Sequence, residues 1–277
     1  MTEHTTLSVV SYNIQFGINT QKVIGNIQRL VDDGADVICL QEIINVDKQE
    51  FIIDSFLKQL GKNWLAAYHV GPQFSRQSIG TCILWNKNKL KLEREEKTLL
   101  PKLKEFTTHE KFYYWVIGVP GIPLQRRVTT CYFSINDTTL RISSIHVDNV
   151  GGPTHRLKQL TYLLSKFKKE KKPTYEILCG DFNTMDLLHT GREEKLLQKR
   201  LGMDFIDASR KIPWTSDIYN INFTTSIKLF PWIIKWFHIH IRRKLDYIWV
   251  RNIKVTKCIK LDLPGSDHSP LFARLEI

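Results

Sequence analysis

Paired cysteines, long apolar runs and internal repeats are all missing from this 277-residue chain. The five cysteines (Cys39, Cys82, Cys131, Cys179, Cys258) are scattered, mostly inside apolar runs, with no Cys-x-x-Cys pair. That spacing argues against a disulfide framework and a zinc site, and for buried free thiols in a reducing compartment. No stretch reaches the roughly 20 apolar residues a spanning helix needs. The N-terminus lacks the basic-then-apolar order of a secretory leader, so the expectation is a soluble, cytoplasmic protein. Acid is also in short supply: 28 Asp and Glu stand against 40 Lys and Arg, for a net charge of +12. Such a bias favours an anionic partner, whether nucleic acid, phosphorylated small molecules or an acidic membrane surface, and does not choose among them.

What is present is ordinary globular material, 42% hydrophobic and 25% charged, enough for one layered α/β domain spanning 1–277. Residues 7–14 alternate as a strand that ends near Asn13. Residues 21–31 place Val23, Ile24, Ile27, Leu30 and Val31 at helical spacing, stopping at Asp32-Asp33-Gly34. Residues 36–42 read as a buried strand tipped by Glu42, and 51–60 as a second helix. Short strands follow at 64–69, 79–85, 90–93, 112–118, 128–135 and 140–146. Turn residues between them, Asn136-Asp137 included, suggest antiparallel hairpins. Then come a helix from Pro153 to Phe167, a strand at 175–181, a helix at 192–201 and strands at 245–250, 255–261 and 271–277.

The stretch richest in chemistry is Tyr175-Glu176-Ile177-Leu178-Cys179-Gly180-Asp181-Phe182-Asn183-Thr184. Its apolar run breaks at Gly180, after which Asp181 and Asn183, two apart, leave the strand end on a common side. Two readings fit these residues alone: an Asx-type turn serving the backbone, or an acid and an amide that handle water beside an anionic substrate. The rest of the chain weighs toward chemistry. Asn13, Glu42, His146, Asp181 with Asn183, Asp246, and Asp267 with His268 each border an apolar run, six strand ends in one chain. Ligand sites in α/β sheets gather at such ends.

Asn13, Leu40-Gln41-Glu42, His146, Gly180-Asp181-Phe182-Asn183, Leu245-Asp246-Tyr247-Ile248 and Ser266-Asp267-His268, in this order, resemble the endonuclease/exonuclease/phosphatase superfamily. The resemblance covers residues 7 to 277. It implies a four-layer α/β sandwich, two mixed sheets packed face to face with helices on both outer sides. It also implies phosphodiester hydrolysis by activated-water attack with a divalent metal, magnesium, or manganese in its place. By the same resemblance, Glu42 is the principal metal ligand, with Asn13 and Asp267 close to the metal. Asp181 activates the attacking water and Asn183 places it. His268 contacts the scissile phosphate and Asp246 orients it, His146 is a second phosphate-side histidine, and Asn13 also contacts substrate. The residue types suit the reaction: magnesium prefers oxygen ligands, and an acid–imidazole pair can move protons at an anionic centre.

The branch is set by departures. Ile145-His146-Val147-Asp148 stands where apurinic endonucleases carry a tyrosine and a Pro-Asn-Gly element. Arg76-Gln77-Ser78 leaves the extra glutamate of pancreatic nucleases vacant, and Leu245-Asp246-Tyr247 matches inositol 5-phosphatases poorly. His146, Asp148, Arg156 and Gln159 are similar to the arrangement in bacterial metal-dependent hydrolases, sphingomyelinase-like enzymes and tyrosyl-DNA phosphodiesterases. In that group Arg156 is a candidate substrate contact, or else a bridge from helix to sheet.

The expected substrate is a phosphodiester in nucleic acid, with a phospholipid headgroup or small phosphoester as the alternative, and no obligate protein partner is evident. A catalytically inactive binding protein is disfavoured by the intact site set. Lys166, Lys168, Lys169, Lys171 and Lys172 read as a solvated helix end, with anion contact as the other reading. The aromatic–basic segment 229–244 reads first as a core-packing hairpin in which His238, Ile239, His240 and Ile241 alternate. Its alternative is a loop making peripheral membrane contact.

Overall fold

The computed structural model describes residues 5–44, 52–72, 78–116, 123–135, 138–185, 191–220 and 234–277. In chain order the elements begin β1 (Thr6–Asn13), α1 (Thr20–Asp32), β2 (Val37–Ile43), α2 (Ile52–Leu60), β3 (Trp64–His69), β4 (Gly80–Asn86) and β5 (Lys91–Leu99). Next are α3 (Thr108–Val116), β6 (Arg127–Ile135), β7 (Thr138–His146), α4 (Gly152–Phe167), β8 (Tyr175–Asp181), α5 (Arg192–Leu201) and β9 (Phe205–Asp207). The chain closes with β10 (Ser216–Asp217), β11 (Arg242–Arg243), β12 (Asp246–Arg251), β13 (Lys254–Lys260) and β14 (Leu271–Glu276). The Asn136-Asp137 turn, Arg76-Gln77 and residues 229–233 lie outside the described residues.

Two mixed sheets of six strands form the frame, ordered β13-β14-β1-β2-β4-β3 and β5-β6-β7-β8-β12-β9. Each is built around one parallel pair, β1 with β2 and β7 with β8, and each pair is joined by a helix, α1 or α4. A parallel pair needs such a crossover, since a tight turn can join only antiparallel strands.

Alternation along the strands divides the apolar side chains among three layers. Val9, Cys39, Ile83 and Trp85 of the first sheet meet Phe133, Ile142, Ile177 and Ile248 of the second in the core between the sheets. Val10, Tyr12, Ile38 and Leu40 face outward under Val23, Ile27 and Leu30 of α1 and Phe56 of α2. Ile145, Leu178 and Trp249 do the same under Leu160, Leu163 and Phe167 of α4. The result is the four-layer α/β sandwich expected from the sequence.

Three local expectations are corrected. Residues 112–118 were expected as a strand because of their aromatics, yet Thr108–Val116 is helical. Thr107 and Glu110 make a capping box: the Thr107 N–H and hydroxyl donate to Glu110 Oε2, at 2.8 and 2.9 Å, which starts the helix despite strand-favouring residues. The strand expected at 90–93 runs on to Leu99; its charged side chains hid it, and as an edge strand they guard it from pairing with other chains. The alternating strand over 238–241 is absent. His238 has φ +48°, Trp236 and Phe237 are each 65% exposed, and only Arg242–Arg243 pairs, with Ser216–Asp217.

Glycine is required at one strand position beside the polar ends. Gly180 has φ +144°, and a Cβ there would lie 1.9 Å from the Ile145 carbonyl oxygen on β7. Gly180→Ala is therefore expected to destabilise the protein by about 2–4 kcal/mol, because strain and a backbone clash must be relieved together. Urea unfolding checks this; an unchanged midpoint would mean that β7 and β8 tolerate separation.

Candidate active site

Sheet topology explains why residues so distant in sequence meet. Asn13 and Glu42 lie at the C-terminal ends of parallel β1 and β2, and His146 and Asp181 at those of parallel β7 and β8. Antiparallel β12 begins where β8 ends, pairing Asp246 with Asp181, while His146 pairs with Asp181 from the other side. Antiparallel β14 starts beside the end of β1, bringing the preceding loop with Asp267 and His268 to the same edge.

Glu42 needs a further device. Leu40 and Ile43, three residues apart, both pack on the α1 side, and the β2–β4 register shifts between Gln41 and Ile43. One extra residue is thus inserted at Glu42, which takes φ +60° and turns toward the second sheet, its Oε1 3.8 Å from His146 Nε2. Asn183 (φ +47°), Gln15 and Phe16 also adopt left-handed backbone next to the cluster. Such strain persists where the surrounding structure enforces it.

Asp181 is the hub, 1% exposed. Asn13 Nδ2 donates to its Oδ2 at 3.0 Å across the two sheets, and the Asn183 N–H donates to Oδ1 at 2.8 Å. Asn13 Oδ1 accepts from Gln15 N–H at 3.0 Å, and Asn183 Nδ2 donates to the Val147 carbonyl at 3.0 Å, so both amides are fixed in orientation. His146 Nε2 and His268 Nε2 stand 3.6 and 3.9 Å from Asp181 Oδ2. His268 Nδ1 lies 2.8 Å from Asp246 Oδ2.

The two imidazoles hold different charges. Burial works against the His268 imidazolium, but the carboxylates of Asp246, Asp267 and Asp181 outweigh it and raise its pKa well above the ordinary value. Burial, then the charges of Arg126 and His268, press His146 well below. Asp181 is pushed up to about 7, chiefly by burial and also by Asp246, against the opposing pull of His268. Glu42 also rises to about 7, through burial and then the charge of Asp267. Groups whose pKa values are driven apart in this way can divide acid and base roles.

Asp148 and Gln159 join the site as the sequence suggested, while Arg126, His155 and Thr215 went unnoticed there. Arg126 is 5% exposed, donates through Nε to Asp148 Oδ1 at 2.7 Å, and rests Nη1 against both His146 ring nitrogens at 3.2 and 3.1 Å. Its cue was slight, a cation doublet ahead of a strand. His155 Nε2 and Gln159 Nε2 meet Asp148 Oδ2 at 2.9 and 2.8 Å; they are four apart on α4, a spacing legible in the sequence. Thr215 Oγ1 accepts from the N–H groups of Leu245 and Asp246, both at 3.0 Å, and so fixes the start of β12.

Arg156 is not brought to this cluster. It is 3% exposed, and its Nη2 pairs with Glu193 on α5, tying helix to helix where the sequence had suggested a bridge from helix to sheet or a substrate contact. His240 is likewise engaged elsewhere, with Nδ1 2.7 Å from Asp217 Oδ2.

A family model described as "Endonuclease/Exonuclease/phosphatase family" matches residues 10–268. The chain belongs to this family. Its members are hydrolases of phosphoester bonds, and the protein is a phosphoester hydrolase of this metal-dependent class. Among solved structures the fold is similar to the endonuclease/exonuclease/phosphatase from Bacteroides vulgatus, at TM-score 0.69 and 15% identity, covering 99% of each chain. It is also similar to D. rerio TDP2 complexed with single strand DNA product, at TM-score 0.66 and 17% identity, covering 99% of this chain and 100% of that one. The human Nocturnin catalytic domain with bound sulfate anion gives 0.64 and 16%, covering 99% and 96%. At these identities the likeness shows the fold. The search of curated proteins finds no match.

The donors of this family member suit a hard divalent cation. Ligand atoms of Asp181, Asp246 and His268 lie within 4.8 Å of one another, and Asp246 Oδ1 is buried without a hydrogen-bond partner. In that set, however, His268 and Asp246 already bond each other. Glu42 and Asp267 offer a second, all-oxygen pair, close enough that the charge of Asp267 acts on Glu42. Both carboxyls have raised pKa values, chiefly from burial, a condition that a cation relieves.

In the metal-free protein at neutral pH, nitrogen NMR is expected to find His268 as imidazolium and His146 neutral. Asp246→Asn should lower the His268 pKa; equal protonation of the two rings would contradict the assignment. Arg156→Ala should destabilise the protein by about 3–5 kcal/mol by leaving Glu193 buried and unpaired. Turnover measured below the lowered melting temperature should be retained, and a selective loss of turnover would return Arg156 to the substrate site.

Proposed function

We propose that the protein is a magnesium-dependent phosphodiesterase acting on nucleic acid by attack of an activated water. The observation that carries this reading is Asp181, a buried carboxyl with a pKa of about 7, standing between the neutral His146 and the charged His268. Asp181 takes the proton from the water, its oxygens aimed by Asn13 Nδ2 and the Asn183 N–H. His268, kept charged and oriented by Asp246, donates to a phosphoryl oxygen as negative charge develops there. Arg126 donates to the unprotonated nitrogen of His146 and holds the ring in place, so that its one N–H can donate to the phosphate without adding a second charge. Glu42 and Asp267, with Asn13, would hold magnesium, or manganese in its place. The bound ion supplies neutralisation of the phosphodiester's charge.

Nucleic acid is favoured by the net charge of +12. A relative in fold, D. rerio TDP2, has been crystallised with single strand DNA product. A second reading, a phospholipid headgroup as substrate, draws on the exposed Trp236 and Phe237 in the segment that ends in Arg242-Arg243-Lys244. We place the protein in the cytoplasm on its five free cysteines. No helix among the described residues is long and apolar enough to cross a membrane.

The deciding measurement is magnesium-dependent turnover on bis-p-nitrophenyl phosphate, plasmid and single-stranded DNA, phosphoinositides and sphingomyelin, with Asp181→Asn beside wild type. DNA cleavage that falls by about 10²–10⁴-fold in the variant is expected. Turnover confined to lipid headgroups would replace the nuclease reading with the second, and an active Asp181→Asn would remove Asp181 from its role.

A further inference from the structure

The row His146, Asp181, Asp246 has a counterpart five residues away on the same three strands. Arg141 pairs in register with Glu176, and Arg251 pairs with Glu176 from the other side. Five is odd, so the second row points to the opposite face of the sheet, under α4 and α5, and lies roughly 16 Å along the strands from the first. It lines a cleft of about 610 Å³ that also includes Phe167, Lys168, Lys172, Arg200 and Phe205.

Charge in this cleft is out of balance. Glu176 is buried and pairs with Arg141 through Oε1 and with Arg251 through Oε2, one carboxylate serving two guanidinium groups. Arg141 is 4% exposed, and its Nη1 is buried with no hydrogen-bond partner, as is Arg251 Nε.

 Burial pulls both guanidinium groups below their ordinary pKa, and the charge of Arg251 adds to this at Arg141. Of the other acids nearby, Asp204 acts on Arg251, and Glu170, which lines the cleft, is already engaged by Arg94 at 2.8 Å and by the Tyr132 hydroxyl. Lys168, Lys172 and Arg200 stand exposed at the rim. Aromatic rings hold the two inner cations flat: Arg141 lies 3.7 Å over the centroid of Phe167 and Arg251 5.4 Å over that of Phe205. Stacked in this way, a guanidinium keeps its N–H edge free for paired hydrogen bonds to a phosphate.

We infer that this cleft is a second anion site, separate from the catalytic edge, which binds a phosphate group carried by an organic molecule. Its volume suits a ligand of nucleotide size better than a bare ion. The phosphate would sit against Arg141 Nη1 and Arg251 Nε, with Lys168 and Arg200 closing over it from α4 and α5. A free mononucleotide and the backbone of a single strand present the same group, so the two sources are separated by experiment.

The test is calorimetric titration of adenosine 5′-monophosphate, inorganic phosphate and a single-stranded oligonucleotide into the metal-free full chain. Wild type is compared with the double variant Lys168→Glu/Arg200→Glu, whose residues are exposed and distant from the catalytic edge. A control, Lys58→Glu/Lys62→Glu, makes the same change in net charge on the far side of the molecule. The rim variant should weaken adenosine monophosphate binding by about tenfold or more, while the control binds as wild type does. Turnover of bis-p-nitrophenyl phosphate should stay unchanged in both. Loss confined to the oligonucleotide would assign the site to a polymer backbone, still through its phosphate. Equal affinities in wild type and the rim variant, or no binding by any of the three probes, would overturn the proposal.

Discussion

A carboxylate held out of water is the constraint on which the rest of the site depends. Asp181 is 1% exposed, and an isolated charge in that position would cost several kcal/mol. The surroundings answer that cost from every side. Asn13 reaches across from the other sheet, the Asn183 backbone folds back after the strand, and the charged His268 stands beyond. Each of these groups is itself held, Asn13 by the Gln15 N–H, Asn183 by Val147 and His268 by Asp246. What remains is a carboxyl near neutrality rather than a fully stabilised anion, the condition a general base requires.

Polar contacts between the sheets continue beneath this site. Gln41 Nε2 donates to Ser144 Oγ at 3.0 Å, and the hydroxyls of Thr81 and Thr129 meet at 2.9 Å, each pair joining the first sheet to the second. Further along the strands the contact between sheets turns apolar, around Phe133, Ile142, Ile177 and Ile248. Hydrogen bonds have directional requirements that apolar packing lacks, so the polar end fixes how the two sheets sit at the reacting edge. The backbone of the segment before β12 adds a clamp: Asp217 N–H donates to the Asp267 carbonyl and Ser269 N–H to that of Thr215.

Strand parity then gives the second sheet two separate polar rows. Side chains on its inner face at one end form the row His146, Asp181 and Asp246. Those on its outer face at the other end form the arginine cleft, and the same three strands carry both. A ligand in the cleft would therefore touch the elements that hold His146, Asp181 and Asp246, through rigid strands rather than loops.

The sequence by itself determined the period of most elements and the polar groups at their ends, while the four layers and the residue roles were what the family resemblance implied. Periodicity of two or of three to four residues follows directly from backbone geometry, so β1, α1, β2 and α4 were legible, and so were the polar groups at their ends. Where local chemistry competed with that pattern, reading failed: the Thr107–Glu110 capping box turned an aromatic run into α3, and a charged edge concealed most of β5. Only the tertiary structure decided what each polar group meets. Glu42 faces the site because one inserted residue reverses its side, and Arg126 belongs to it because β6 sets it against His146 and Asp148. Arg156 leaves it because α5 supplies Glu193. Such partners lie on neighbouring strands and helices, and the pairing of elements distant in the chain, unlike the period within one element, leaves no mark in the local sequence.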